Sequence, residues 1–320
     1  MLLHIKGGMA AMAILLALLV LNSTSHAAEV LSLGIFPRRN VEDTIRMFTP
    51  LAEHLEEKLG IQVRLKTSRN FENFQKHVAN KRFDIVHYNP YHYIKSAKEH
   101  GYRVILKNVE RGIDKHAGAI FVHKNSGIEH IDQLNGKRII FGGGPTAMFS
   151  YLLPTYMLRQ NGLKDGDYTK EYAISPPSAL FSAYYGHADA AGAGEVVIEF
   201  DVVKRKIDTS QLHAIAVSKA LTHLPWAVRG DLQHDVARKI QTILSGLSGT
   251  EEGQKVLKTA GLTGLNISDD TEYDEHRKIT WQVLRENYCI RECNYVEKPA
   301  DSSEAKHADM NKMKQAGTEK

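Results

Sequence analysis

The sequence predicts an α/β protein in which parallel strands carry helices on both faces. Apolar strand patterns alternate with amphipathic helix patterns between residues 30 and 100, in the order β-α-β-α-β-α. The alternation returns in the middle of the chain, where residues 134–158 read as a turn, a strand, a glycine-rich loop and a helix. A length of 320 residues allows about two such units, each able to bury its own core.

The first half of the chain supplies most of the strand patterns. They lie at 30–36, 61–65 and 84–88, with further candidates at 104–106 and 117–122. Leucines spaced four residues apart predict the first helix, which ends at Gly60. This helix either begins at Pro50 or begins near Glu42 and is kinked at Pro50. A second helix is predicted around Phe74, and a third opens at Asn89-Pro90-Tyr91.

The second half begins with the stretch that we consider most informative. A strand at 138–141 leads into Gly142, Gly143 and Gly144, and Pro145 suits the first turn of the helix that follows. A helix N-terminus presents unpaired N–H groups and a partial positive charge, so this stretch suits an anion. The alternative is a tight strand-to-helix connection without a ligand.

The rest of the second half adds short strands and then helices. Strands are predicted at 172–175 and 212–217, and a helix opens at Pro176-Pro177. Helices are predicted at 232–247, 251–260 and 272–288. From about 297 to 320 the sequence is polar without an apolar period, which indicates a disordered tail.

The N-terminus predicts export. Lys6 precedes the uninterrupted apolar run 9–21, and Ser25-His26-Ala27 offers small residues for signal peptidase, so cleavage is expected after Ala27. The mature protein is expected to be soluble in the periplasm, with an uncleaved membrane anchor as the alternative. Removing Lys6 lowers the formal charge from +4 to +3, which is too small for a nucleic-acid binder.

Several segments, taken in order, resemble one known family. They are Pro50-Leu51-Ala52, Phe83-Asp84-Ile85-Val86 with Asn89-Pro90-Tyr91, Ser126-Gly127-Ile128, Leu134-Asn135-Gly136-Lys137, Ala188-Asp189-Ala190, Glu251-Glu252-Gly253 and Gly261-Leu262. Their order and spacing over about residues 29–280 are similar to those of the phosphate/phosphite/phosphonate-binding family of periplasmic ABC-transporter receptors.

The resemblance implies a type II periplasmic-binding-protein fold, in which two α/β lobes close over a ligand. The predicted divisions are a signal peptide (1–27), lobe 1 (28–118 and 216–296), lobe 2 (119–215) and the tail (297–320). The chain is expected to cross between the lobes near 119–122 and 215–217. The implied partners are a small anionic ligand and an inner-membrane ABC permease, with no nucleic acid, and the chain is expected to be a monomer. The implied function is capture of a phosphonate, phosphite or phosphate for transport. A sensor of the same fold that docks on a membrane kinase is the alternative.

The resemblance also indicates binding residues position by position. Those in the glycine-rich stretch are Thr146, Ala147 and Ser150, although Met148 and Phe149 interrupt the hydroxyl residues that the family places there. The other candidates are Tyr88, Asn89, Tyr91, Ser175, Arg38 and Glu195. A core role for the tyrosines, a solvated charge for Arg38 and a helix cap for Glu195 are the competing interpretations.

The sequence carries no nucleophile elbow, Walker loop or His-Glu-x-x-His pair. No enzyme activity, cofactor or metal is therefore predicted. Cys289 and Cys293, four residues apart in an exported protein, are candidates for a local disulfide, with two free thiols as the alternative.

Overall fold

The computed structural model describes residues 30–37 and 39–293. The predicted signal peptide, Arg38 and the predicted tail lie outside these ranges. Within them, no helix is both long and apolar enough to cross a membrane.

Strands and helices alternate through the described chain. The strands are β1 (Val30–Ile35), β2 (Gln62–Lys66), β3 (Ile85–His87), β4 (Arg103–Val109), β5 (Lys115–His116), β6 (Gly118–His123), β7 (Arg138–Gly142), β8 (Thr169–Ala173), β9 (Ala190–Gly194), β10 (Leu212–Val217), β11 (Leu221–Thr222), β12 (Pro225–Val228) and β13 (Gly264–Ile267). The α-helices are α1 (Val41–Leu59), α2 (Phe71–Ala79), α3 (Pro90–His100), α4 (Leu153–Gln160), α5 (Pro176–Tyr184), α6 (Asp201–Lys204), α7 (His234–Ser245), α8 (Glu251–Ala260) and α9 (Asp274–Leu284).

Local capping explains where the first helices begin and end. The Asn40 side chain accepts a hydrogen bond from the Asp43 amide at the start of α1, and Gly60 ends the helix at φ +67°. Pro50 lies inside α1, so the longer of the two predicted helices is the one that forms. The Asn89 side chain caps α3 in the same way, followed by Pro90 at the first helical position.

The strands form two large sheets and one small one. The first sheet has the order β13, β4, β12, β3, β1, β2, and the second has the order β10, β6, β9, β7, β8. The predicted α/β class is therefore confirmed. β1 pairs in parallel with β2 and β3, and β7 with β8 and β9, as expected.

Other strands of both large sheets run antiparallel, which the sequence did not predict. β12 runs antiparallel to β3 and β4, and β6 runs antiparallel to β9 and β10. The prediction considered only successive strand–helix–strand units along the chain. β12 joins the first sheet after the chain has built the second sheet, so no single crossover helix sets its direction.

A two-stranded sheet links the two large ones. β5 and β11 pair antiparallel and lie in the two stretches of chain that run between the sheets. The segments 119–122 and 215–217, predicted as crossings, belong to the second sheet instead. The first sheet contains strands from before residue 110 and after residue 224, and the second contains strands between 118 and 217. The exact lobe boundaries stay predictions.

The C-terminal segment contains a disulfide between Cys289 and Cys293, with 6.2 Å between their Cα atoms. The predicted helix 272–288 is shorter than expected, because α9 ends at Leu284 and Arg285 takes φ +60°. The bridge therefore closes an irregular segment and does not strain a helix.

We expect replacement of Cys289 and Cys293 by serine to lower the free energy of unfolding by about 2 kcal/mol, the chain-entropy value for so short a loop. Urea titrations of both proteins measure the change. Counting thiols in denaturant without reductant is the direct check, and two reactive thiols per chain would contradict the bridge.

Candidate ligand-binding cleft

A cavity of about 390 Å³ lies between the loops of the two large sheets. Phe36, Phe71 and Asn89 line it from the first sheet, and residues around Ser150 and Ser175 line it from the second. Several of these loops follow the carboxyl ends of parallel strands, where open α/β sheets bind ligands.

The glycine-rich stretch forms one wall of this cavity. After β7, Gly143 and Gly144 take φ values of +83° and +88°, a left-handed geometry that favours glycine. A π-helical turn, Met148–Leu152, then leads into α4. The helix thus starts later than Pro145, because these two glycines and the loop that follows keep residues 143–147 out of helical geometry.

The start of this helix has no side-chain cap. Ala147 holds the N-cap position in extended geometry, and its carbonyl accepts from the amides of Tyr151 and Leu152 at 2.9 and 3.0 Å. The first N–H groups of a helix have no acceptor inside it. Here they belong to residues 148–150, all of which line the cavity. The wall therefore offers backbone donors and a partial positive charge to an anion.

Two glycines on neighbouring strands allow the helix start at residues 148–150 to pack closely against the second sheet. A Cβ on Gly192 of β9 would lie 2.6 Å from the Ser150 carbonyl oxygen, and one on Gly118 of β6 would lie 2.7 Å from that of Phe149. Both distances are shorter than a van der Waals contact. The glycines therefore set the position of the uncapped N–H groups relative to the cleft.

Asn89 connects the two sides of the cleft. Its side-chain oxygen accepts from the Tyr91 amide at 3.0 Å, and its side-chain nitrogen donates to the Thr146 carbonyl at 3.2 Å. One amide side chain thus caps α3 and contacts the glycine-rich loop of the other sheet.

A chain of ionisable side chains lies where the connecting strands meet the cavity. The rings of His116 and His223 are 4.1 Å apart and edge-on. Glu195 Oε1 lies 3.5 Å from His116 Nδ1, and Glu110 Oε1 lies 3.3 Å from His223 Nε2. Each of these two carboxylates thus faces a histidine. The described residues contain no group of three or more His, Cys, Asp or Glu side chains placed to hold a metal ion.

Comparison with known proteins identifies the family. Residues 33–273 match the family model described as ABC transporter, phosphonate, periplasmic substrate-binding protein. The chain belongs to this family. The phosphonates-binding periplasmic protein of Escherichia coli (strain K12) is 21% identical over 264 residues, which cover 80% of this chain and 78% of that protein.

Two of the solved structures that match this chain share its fold. A methylphosphonate complex of PhnD1 from Prochlorococcus marinus (MIT 9301) superposes with a TM-score of 0.70 at 16% identity, covering 81% of this chain and 100% of that one. A binding-protein component of an ABC phosphonate transporter from Pseudomonas aeruginosa gives 0.69 at 15% identity, covering 92% and 100%. The predicted family and the predicted type II periplasmic-binding-protein fold are both confirmed.

The structure brings four of the predicted binding residues of this family member together. Asn89, Ala147, Ser150 and Ser175 all line the cavity. Ser175 is also the N-cap of α5, and its Oγ lies 2.9 Å from the Ser178 Oγ. Their roles toward a ligand stay predictions.

The structure places other predicted residues outside the cavity wall. Tyr88 is fully buried in the core, where its ring packs on Tyr93 and Tyr102. The Tyr91 hydroxyl donates to Glu286 Oε2 at 2.7 Å, so this side chain holds the C-terminal segment. Burial, and then the hydrogen bond to Glu286, raise the pKa of Tyr91.

Thr146, Glu195 and Arg38 complete the set. Thr146 contributes its carbonyl to Asn89, and its side chain is not part of the cavity wall. Glu195 directs its carboxylate toward His116, although its neighbours Gly194 and Val196 line the cavity. Arg38 lies outside the described residues.

Sequence reasoning missed several residues of the cleft. Phe36 and Phe71 read as core positions, and only the packing of the chain after β1 and of the start of α2 places them in the cavity wall. His116 and His223 gave no spacing signal, because they are distant in sequence and meet only through the pairing of β5 with β11.

Two buried histidines make stability depend on pH. Burial lowers the pKa of His92 and of His276 to about 3. His276 Nε2 lies 3.0 Å from the Thr222 carbonyl, and its ring contacts Phe149 at the cleft. In the unfolded chain both histidines take up protons near pH 6.5, whereas in the folded chain they do so only near pH 3. Stability contributed by the neutral rings is therefore lost as the pH falls below 6.5.

We expect protonation of each of these histidines to lower the free energy of unfolding by about 2 kcal/mol as the pH falls from 6.5 to 5, at about 1.4 kcal/mol per pH unit. Urea titrations at pH 7.5 and 5.0 measure the loss. The variants His92→Phe and His276→Gln should each remove about half of it, and variants that keep the full pH dependence would contradict the assignment.

Proposed function

We propose that this family member captures a phosphorus oxyanion in the cleft and delivers it to an ABC permease in the inner membrane. The helix start at residues 148–150, which has no side-chain cap and lines a cavity bridged by Asn89, is the observation that carries the proposal. The methylphosphonate in the Prochlorococcus relative adds support from the same fold. The protein acts as a binder and leaves its ligand chemically unchanged.

Few contacts are sufficient for useful affinity. A micromolar dissociation constant needs about 8 kcal/mol, and each hydrogen bond to a charged group contributes about 1.5–3 kcal/mol. The N–H groups of residues 148–150, the Ser150 hydroxyl and the Asn89 amide supply enough donors, even after the cost of association.

The proposed location is the periplasm, after cleavage of the signal peptide behind Ala27. Family membership supports the compartment. Mass determination of the protein from a periplasmic extract tests the cleavage position.

Calorimetry with phosphate, phosphite, methylphosphonate, phenylphosphonate and sulfate tests the proposed function. At least one phosphorus oxyanion should bind with micromolar affinity or better, and it should be recovered unchanged after prolonged incubation. Binding of none of them, or of sulfate alone, would refute the proposal, and turnover would refute the binder role.

We expect Ser150→Ala to weaken that binding about ten-fold, because it removes one hydroxyl donor to a charged group. Thr146→Ala is the matched control, since Thr146 contributes only its carbonyl near the cleft. Calorimetry on both variants measures the difference. Equal losses of affinity in the two variants, or no loss from Ser150→Ala, would show that the Ser150 hydroxyl does not bind the ligand.

A further inference from the structure

We propose that the ligand is a phosphonate or phosphate monoester with a bulky apolar substituent, such as an aryl or long alkyl group. This rests on the proposed function and specifies its ligand class. Inorganic phosphate, phosphite and methylphosphonate are then poor ligands. The inference follows from the size of the cleft, the chemistry of its walls and one exposed side chain at its rim.

The cleft is large for a small oxyanion. Its volume of about 390 Å³ falls within the range of roughly 300–1,000 Å³ that encloses drug-sized ligands. A second compartment of about 410 Å³ adjoins it, and the two share Arg39, Glu110, Val196, Phe200 and Val202 as lining residues. A five-atom oxyanion held at residues 148–150 leaves most of this space unfilled.

The walls beyond the anion-binding N–H groups are mainly apolar. Phe36 and Phe71, with ring centroids 6.0 Å apart, form a surface on the side of the first sheet. Phe149, Val196 and Phe200 continue it on the side of the second. Apolar walls of this kind exclude water from a ligand's apolar surface and provide no hydrogen bonds to an oxyanion.

Ile174 gives the most specific indication that the ligand carries an apolar substituent. Its side chain is 99% exposed, yet it lines the cavity beside the N-cap Ser175. Val202, also exposed, lines both compartments. A single exposed apolar side chain is ordinary. These two, however, continue the apolar wall to the cleft rim, where an apolar substituent on the ligand would cover them.

Calorimetry on the mature protein tests the inference by rank order. Phenylphosphonate and octylphosphonate should bind at least about ten-fold more tightly than methylphosphonate and phosphate, as expected for burial of several additional carbons. Equal or tighter binding of methylphosphonate or phosphate would overturn the inference and leave the proposed function intact. Binding of none of the four would refute the proposed function itself. Benzyl alcohol, which has the ring without the phosphoryl group, should bind much more weakly; affinity equal to that of phenylphosphonate would overturn both.

The substitution Ile174→Ser provides a second readout without risk to folding, because the side chain is exposed. It should weaken the binding of phenylphosphonate about three- to ten-fold, because one apolar contact surface is lost. The affinity for methylphosphonate should stay within about two-fold. Ile267→Ser, at a 63% exposed isoleucine of β13 outside the cavity wall, is the matched control and should change neither. An equal effect of Ile174→Ser on both ligands, or none on phenylphosphonate, would remove the rim from the site.

Discussion

We expect Ala147→Asp to weaken phosphorus-oxyanion binding more than a hundred-fold while leaving the fold at least as stable. An aspartate at this N-cap position accepts hydrogen bonds from the uncapped N–H groups of the first helical turn, and a capping side chain adds about 1 kcal/mol to stability. Its charge also repels the ligand, by about 4 kcal/mol at roughly 4 Å and an effective dielectric constant of about 20. Calorimetry measures the affinity and urea titration measures the stability.

The matched control for this prediction is Ala147→Asn, which caps the same N–H groups without a charge. It should reduce affinity about ten-fold through competition for donors alone. If Asp and Asn reduce affinity equally, charge plays no part at this wall. If the Asp variant binds normally, the anion lies elsewhere.

The second large effect concerns stability. We expect Arg277→Ala to lower the free energy of unfolding by about 3 kcal/mol, the low end for removing one partner of a buried ion pair, because both of its aspartate partners also pair with Arg291. The Arg277 side chain is 1% exposed. Its guanidinium donates to Asp270 at 2.6 Å, to Asp274 at 3.0 Å and to the Tyr288 carbonyl at 3.0 Å.

Arg238→Ala is the matched control for this substitution, since Arg238 pairs with Asp235 on the protein surface at 3.3 Å, with both side chains more than two thirds exposed. A surface pair contributes about 0–1 kcal/mol. Urea titrations of the two variants measure both losses. Comparable small losses would show that the buried network is not important for stability.

This network also supports the cleft from a distance. Arg277 holds the chain at Tyr288, and Glu286 in the same segment accepts the Tyr91 hydroxyl. Tyr91 lies in the first turn of α3, two residues after the Asn89 that bridges the cleft. Loss of Arg277 should therefore loosen α3 and lower ligand affinity to a lesser degree than stability.

Features that depend on a few neighbouring residues were predictable from the sequence. Gly60 ends α1, and Asn89-Pro90 opens α3, because capping bonds form within one helical turn. The glycine-rich loop after β7 was predicted to present N–H groups to a cleft, and its uncapped helix start lines one. The family followed from many such local features in a fixed order.

Features that depend on distant contacts were not predictable in this way. Tyr88 and Asn89 are adjacent in sequence, yet one is buried in the core and the other faces the cavity, because successive residues at the end of β3 point in different directions. β12 runs antiparallel to β3, and its direction depends on how the chain returns from the second sheet to the first.

The sequence by itself determined the family, the α/β class and the glycine-rich loop that leads from a strand into a helix, since these rest on local hydrogen bonding and segment order. Only the tertiary structure decided what surrounds that loop. It brought Phe36 and Phe71 to the cavity, joined His116 to His223 and left Ile174 exposed at the rim. The residues that line a cleft depend on how two sheets pack against each other, and local sequence patterns do not determine that packing.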